Sequence, residues 1–471
     1  MEQYYLAVDI GASSGRHILG WQEDGVLKLE EIYRFENGYA ELDGKKLWDT
    51  GRLFAEILNG MKQCSRIGKI PVSMAIDTWA VDYVLLDGQD QVVGDTYSYR
   101  DSRTEGMDEK VSRWILPEAL YERTGIQKQM FNTIYQLMAQ KLQEPEVLSQ
   151  ARTFLMLPDY FQFLLTGNKQ SEYTNATSTQ LVSPATGQWD KGLIRLLGYP
   201  KDIFLPLVQP GTPAGRLRPE IQAEVGFDTE VISCASHDTA SAVMAMPREG
   251  SVYISSGTWS LMGVESKEAL CGEASRKANF TNEGGYEHRF RYLKNIMGLW
   301  MIQSVRRELN QKAEQDYSFA QLCSLAEEAR TFPSRVEVND PAFLAPDSMT
   351  EAIQGFCRRT GQPVPESPGE LAAVIYQSLA ACYGETVREI EAATGRTYPE
   401  ICVIGGGSNA GYLNQLTANA TGKTVWAGPG EATAIGNLLA QMLKTGVFQS
   451  LKEARDCVAE SFAVKRYEPE A

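Results

Sequence analysis

Asp238 sits in the run CASHDTASAVMA, between an apolar stretch at 231–233 and a small-residue stretch at 239–245. That pattern predicts a strand-to-helix turn with the aspartate at its mouth. An aspartate there has two uses: its carboxylate can cap the first helical turn, or it can accept the proton of a hydroxyl during phosphoryl transfer. His237 beside it is a second candidate base, although neighbouring side chains on one element point apart. Two more carboxylates stand at the ends of apolar runs. Asp9 follows residues 5–8 next to a glycine-bearing turn, where it could hold Mg²⁺ through water or cap the turn. Asp77 in IDTWAVD ends another such run, with Asp82 just beyond; one of the pair can be structural.

Three glycine-bearing turns could approach phosphate: 11–15, 255–258 and 405–407. Glycine lacks a Cβ, so backbone N–H groups there can come close to a phosphate oxygen. The hydroxyls of Ser13, Ser14, Ser256 and Thr258 add donors. Each turn alone is an ordinary hairpin or left-handed turn, but the three together favour nucleotide binding. The site is not a P-loop, because Gly422, Lys423 and Thr424 lack the first glycine of GxxxxGK[ST]. No HRD or DFG segment of a protein kinase occurs either. Gly405, Gly407 and Ala410 fit GxGxxG/A with Glu431 about twenty residues on, so a dehydrogenase reading stays open on that one short match.

The elements that must position these groups read as a duplicated pattern. Short apolar runs at 4–10, 17–21 and 26–32 predict a β-meander, followed by a helix over 50–64, strands at 72–77 and 82–86, and mainly helix over 117–165. A second series starts near Gly250, and VYISSGTWSLMG echoes VDIGASSGRHIL: strand, Gly/Ser/Thr turn, strand. Helices are expected over 301–330 and 370–394, then a strand at 401–404, a helix from about Ala410, a last helix over 432–444 and a charged tail.

At 471 residues the chain exceeds one ordinary core, and the expected domains are 1–246 and 247–471. The net charge of −15 argues against a nucleic-acid partner but not against ATP, which local backbone donors can hold. No apolar run of 18 uncharged residues and no leader pattern is visible, so a cytoplasmic chain without a membrane partner is expected. Eight scattered cysteines without CxxC and only three histidines argue for free thiols and against zinc.

These segments together resemble the FGGY family of carbohydrate kinases over nearly the whole chain. The resemblance is carried by VDIGASSGR at 8–16, IDTWAVDYVLLD at 76–87, YRDSRT at 99–104, LMLPDYF at 155–161 and EYTNATSTQLV at 172–182. It continues in ASHDTASAV at 235–243, SSGTWSLMG at 255–263, TNEGG at 281–285, LKNIMGLW at 293–300 and IGGGSN at 404–409. Four of them, DTW, EYTNAT, SHDTASA and KNIMGLW, resemble the branch acting on L-rhamnulose.

The resemblance implies an α/β fold of two actin-like, RNase H-like ATPase domains flanking a deep cleft, with sugar held mainly by the first and ATP by the second. It implies Asp238 as the base taking the proton of the ketose 1-hydroxyl, and Ala80, His237, Thr239 and Asn295 as sugar contacts. Ala80 stands where a close relative would have glycine, which adds a methyl group at the sugar. Ala12, Ser13, Ser14, Gly15, Arg16, Thr258, Gln303 and Gly406 would line ATP, and Asp9 would organise Mg²⁺. A kinase for L-fuculose or xylulose, or a non-catalytic sugar or nucleotide sensor, is the alternative; the partners implied are small molecules and, at most, a few copies of the same chain.

Overall fold

The computed structural model describes residues 2–312 and 316–470. The chain forms two compact units: Met1–Ala245 with Glu265–Tyr292 and Thr433–Ser461, and Met246–Val264 with Leu293–Ala432 and Phe462–Ala471. The chain first passes from one unit to the other between Ala245 and Met246 and crosses again at several later points. Mixed strand and helix fill both units.

The first unit is built on a six-stranded sheet: β1 (Tyr4–Ile10), β2 (Ser14–Glu23), β3 (Val26–Glu36), β4 (Pro71–Thr78), β5 (Thr212–Arg216) and β6 (Glu230–Ser233), ordered β5-β6-β4-β1-β2-β3. β1 to β3 form an antiparallel meander, whereas β4 runs parallel to β1 and β6 parallel to β4. Six of the seven β1 residues are buried, the mark of a strand covered on both faces. Helix Thr50–Ile67 packs beside β2, capped by Asp49, which accepts from Arg52 N, and ended by left-handed Gly68. Gly60 on that helix lets the His17 ring in, since a Cβ there would sit 2.3 Å from it.

The second unit repeats the plan. Its strands β7 (Val252–Ser256), β8 (Trp259–Ser266), β9 (Phe290–Met297), β10 (Glu400–Ile404), β11 (Thr424–Ala427) and β12 (Lys465–Tyr467) run β9-β8-β7-β10-β11-β12. The β7–β8 hairpin is antiparallel, β10 is parallel to β7 and β11 to β10. The central strand of each unit thus starts a hairpin and ends against a parallel neighbour, as the echo in the sequence anticipates.

Two expectations give way. The single helix expected over 301–330 is two, Trp300–Lys312 and Phe319–Glu328; a capping box, Ser318 with Gln321, starts the second. The expected charged tail is helix Leu451–Ser461 followed by β12. Leu451, Ala454, Cys457 and Val458 bury one face of that helix, a helical spacing diluted by the charges between. Its Arg455 is also buried: the guanidinium pairs with Glu265 at 2.8 Å and donates to the carbonyls of Val243 and Met244. Those carbonyls end the helix that begins with Asp238. All eight cysteines are free, and no helix among the described residues is long and apolar enough to cross a membrane.

Candidate functional site

In the first unit three carboxylates gather at the carboxyl ends of the adjacent parallel strands β1, β4 and β6, where open α/β sheets place ligands. Asp9 and Asp77 are register partners on β1 and β4. Beyond β6 the chain passes Thr78, which bridges to His237 and donates its N–H to Ser236 O at 2.9 Å, and enters helix Asp238–Met244.

Asp238 is the first residue of that helix; His237 occupies the cap position without a side-chain cap bond. Asp238 is therefore not the N-cap residue, although its carboxylate accepts a first-turn N–H. Its Oδ1 accepts from Thr239 N at 2.6 Å and Thr239 Oγ1 at 3.0 Å. Its Oδ2 accepts no hydrogen bond from the described residues. The side chain keeps 32% of its surface open, while burial of its surroundings and the negative charge of Asp9 push its pKa up to about 6. That is a carboxylate available to a substrate hydroxyl and raised toward neutrality, as a general base requires.

Asp9 is held by Arg16, its register partner on β2, through Nε and Nη2 at 3.0 and 2.9 Å. Asp77 is fully buried, and burial together with Asp9 raises its pKa well above the usual carboxylate range. Its Oδ2 accepts from Asn437 Nδ2 at 2.6 Å, while its Oδ1 has no hydrogen-bond partner among the described residues. Asp82 is the structural member of its pair. It accepts from the indoles of Trp48 and Trp79, from Tyr99 N and from Gln136 Nε2, pinning two tryptophans whose rings lie 4.3 Å apart.

His237 does not have a free lone pair to serve as a second base. Arg291 Nη2 donates to its Nδ1 at 3.0 Å, and burial with that guanidinium holds its pKa well below the usual value. Arg291 is itself fully buried, tied to Glu283 at 3.0 Å and to Gly284 O at 2.9 Å. Glu172 supports the same turn by accepting from Ser236 N and Oγ as well as from Thr174 and Asn175. Neither Arg291 nor Glu172 stands out by residue type in the sequence; only the motif EYTNAT brackets the latter.

Ala80 is half-buried, and the next residue, Val81, takes a φ of 70°. A β-branched residue in the left-handed region is strained by about 1–3 kcal/mol. Three side chains hold it there: Ser178 accepts from its N–H, and Thr133 and Gln136 donate to its carbonyl. The sequence carries no sign of this strain, because it arises from contacts 50 to 100 residues away.

Of the three glycine turns, the first joins β1 to β2. Gly11 N donates to Ser14 O, and Asn37 ties the turn from outside through Gly11 O and Ser13 O. Ala12, Ser14 and Arg16 are half-buried and Ser13 is exposed. Gly15 is glycine for a packing reason, since a Cβ would lie 2.1 Å from the Phe35 ring.

The second unit carries Thr258, Gln303, Gly406 and Asn295. Thr258 follows β7, and its Oγ1 donates to Gln303 Oε1 at 3.4 Å. The same turn receives Leu299 N and Trp300 N on its carbonyls, placing the exposed Thr258 hydroxyl at the start of helix Trp300–Lys312, an end that favours anions. After β10, Gly405 has a φ of 81° and Gly407 leaves no room, a Cβ there falling 1.9 Å from Ser256 Oγ. Gly406 between them is exposed and faces open space. Asn295 lies on β9, in a different unit from Ala80, His237, Asp238 and Thr239.

Comparison with known proteins adds the following. Residues 4–245 match the model of the FGGY family of carbohydrate kinases, N-terminal domain, and residues 252–445 match its C-terminal domain. The rhamnulokinase of Halalkalibacterium halodurans is 52% identical over 465 residues, covering 98% of each chain. That of Oceanobacillus iheyensis is 49% identical over 468 residues, 99% of this chain and 98% of its own. Among solved structures, xylulose kinase from Lactobacillus acidophilus superposes with a TM-score of 0.78 at 16% identity, covering 99% of this chain and 94% of its own. Plasmodium falciparum glycerol kinase with ADP gives 0.78 at 13% identity, covering 100% and 95%. These likenesses establish the two-domain, actin-like α/β architecture. The dehydrogenase reading of residues 405–410 has no support among them.

Proposed function

The chain belongs to the FGGY family of carbohydrate kinases, and we propose that it transfers the γ-phosphate of ATP to the 1-hydroxyl of L-rhamnulose, giving L-rhamnulose 1-phosphate and ADP in L-rhamnose catabolism. The observation that carries the chemistry is Asp238, with one oxygen engaged by Thr239, the other accepting no hydrogen bond from the described residues, and the charge of Asp9 acting on the carboxyl. The choice of sugar is supported by full-length relatives at 40–52% identity that bear the rhamnulokinase name.

In this reading the 1-hydroxyl oxygen attacks the γ-phosphorus, its proton passes to Asp238 Oδ2, and the bond to the β-phosphate oxygen breaks. Of the residues proposed for the sugar, Ala80, His237 and Thr239 belong to residues 1–246 and Asn295 to residues 247–471. Of those proposed for ATP, Ala12, Ser13, Ser14, Gly15 and Arg16 belong to the first of these segments and Thr258, Gln303 and Gly406 to the second. Phosphoryl transfer asks mainly for such positioning and charge neutralisation.

Mg²⁺ fits this donor set in one manner. Among the described residues no group of three or more side chains forms a direct metal cage. The buried Asp77 Oδ1, without a hydrogen-bond partner among the described residues, nevertheless leaves an open carboxyl oxygen close to Asp9 at the strand ends. An ion keeping most of its waters and the nucleotide's phosphates as ligands suits that arrangement, with Asp9 holding it through water. Bound there, it would neutralise charge on the transferring phosphoryl group.

Two experiments follow. Coupled ADP release across L-rhamnulose, L-fuculose and xylulose should give the highest kcat/KM for L-rhamnulose; a better rate on another ketose moves the chain to a different branch of its family, and no turnover with any would leave the sensor alternative standing. Gly406→Ala should raise the KM for ATP several-fold, with thermal stability unchanged, because the added methyl meets no protein atom within 4 Å. An unchanged ATP KM takes Gly406 out of the nucleotide site.

A further inference from the structure

The hydrogen bonds around Asp238 form an ordered chain whose direction is set at its far end. Arginine has donors only and no acceptor. Because Arg291 Nη2 lies 3.0 Å from His237 Nδ1, that ring nitrogen must be the acceptor, and the imidazole proton must sit on Nε2. His237 Nε2 lies 3.4 Å from Thr239 Oγ1 and 3.5 Å from Asp238 Oδ1, so it points a donor at both. Thr239, receiving that donor, turns its own hydroxyl proton onto Asp238 Oδ1 at 3.0 Å. The consequence is that Oδ1 is fully engaged and Oδ2 is the oxygen left for substrate.

We propose that Arg291 is a positioning residue for phosphoryl transfer: it locks His237 as the Nε2–H tautomer and so fixes which oxygen of Asp238 faces the sugar hydroxyl. Loss of this lock would let His237 accept instead of donate, free the Thr239 hydroxyl to rotate and make the two carboxylate oxygens interchangeable. Glu283 completes the device. It holds the Arg291 guanidinium at 3.0 Å and lies 3.4 Å from His237 Nδ1, so that the charged groups facing the ring are Asp238, Glu283 and Arg291. The arginine is fully buried, with Nη1 unpartnered among the described residues, a costly arrangement for a purely architectural contact.

The inference rests on Asp238 as the base, and the experiment separates the two. The chain has three histidines, so ¹⁵N-histidine labelling of the full-length protein resolves His237 once His237→Gln assigns it. In the native protein His237 should show an unprotonated Nδ1 and a protonated Nε2 throughout the neutral pH range. Arg291→Met alone would strand Glu283, so the informative variant is Arg291→Met with Glu283→Met, which removes both charges from the interior. There His237 should populate both tautomers and titrate nearer its ordinary value of about 6.5. Sugar kcat/KM should fall about tenfold with the ATP KM unchanged. Arg291→Lys, which keeps a cationic donor, should restore the tautomer and most of the rate.

A native His237 protonated on Nδ1, or a double variant with an unchanged tautomer, overturns the lock. A shifted tautomer with unaltered sugar kinetics overturns its role in the reaction. If the native protein shows the tautomer but no kinase activity on any ketose, the lock stands and the proposed function is what fails.

Discussion

Replacing Asp238 with asparagine is expected to lower kcat by about 10²- to 10⁴-fold, the usual contribution of a general base, while the sugar still binds. Asparagine keeps the shape and can still accept from Thr239 N and Oγ1, so the helix start remains supported. What disappears is the lone pair that takes the hydroxyl proton. Equilibrium binding of the sugar by calorimetry, set against single-turnover kinetics, separates the two effects. Turnover within a few-fold of the native rate would remove Asp238 from the chemistry.

The same residue fixes the sign of the pH dependence. A base works in its ionised form, and the Asp238 pKa is pushed up to about 6 by burial and by Asp9, against the pull of the Thr239 hydrogen bonds and Arg291. The rate should therefore be at its plateau above that value and fall as pH drops through it, approaching a tenfold loss per pH unit. In the asparagine variant this acid limb should vanish from whatever rate remains. A native limb centred on the ordinary aspartate range would mean that Asp9 and burial do not act on Asp238 as the geometry implies.

The parts of the molecule visible in the sequence are those governed by neighbours along the chain. β1 at Tyr4–Ile10 and the helix Ala432–Lys444 follow directly from apolar runs and helical spacing, and the two hairpins announce the repeated sheet plan. Asp238 is legible as a helix-mouth acid because strand, turn and small-residue helix are contiguous there. The rest depends on partners far apart in sequence: Arg291 reaches His237 across 54 positions and Asn437 reaches Asp77 across 360. No local pattern encodes such a pairing. Packing reasons for glycine are equally hidden: Phe35 and Ser256 leave no room for a Cβ at Gly15 and Gly407, whereas a Cβ at Gly406 would meet nothing within 4 Å. Helix Leu451–Ser461 escaped because its buried arginine reads as surface charge until Glu265 and the carbonyls of Val243 and Met244 are seen around it.

Gly436→Ala should be the most damaging of the small substitutions outside the site, and the reason links the fold to the base. Gly436 lies in helix Ala432–Lys444, where alanine would ordinarily stabilise a helix interior by up to about 1 kcal/mol. Here a Cβ would fall 1.7 Å from the Ser241 carbonyl oxygen and 2.4 Å from its carbon, and backbone cannot yield as a flexible side chain does. Ser241 sits one turn beyond Asp238, its own N–H on His237 O. The helices must separate by more than an ångström, a strain of about 1–3 kcal/mol that outweighs the propensity gain. The next residue, Asn437, would be drawn away from Asp77 Oδ2 and Ala75 O, and with it Gln441, which bonds Ser73, Leu6 O and Asn437. Asp77 would then lose its one hydrogen-bond donor while remaining buried beside Asp9. The expected result is a lower denaturation midpoint together with a fall in kcat of about tenfold or more, since a displacement of this size misplaces the base. An alanine variant at least as stable as the native protein would show that helix propensity wins and that the contact at Ser241 does not set the position of the catalytic helix.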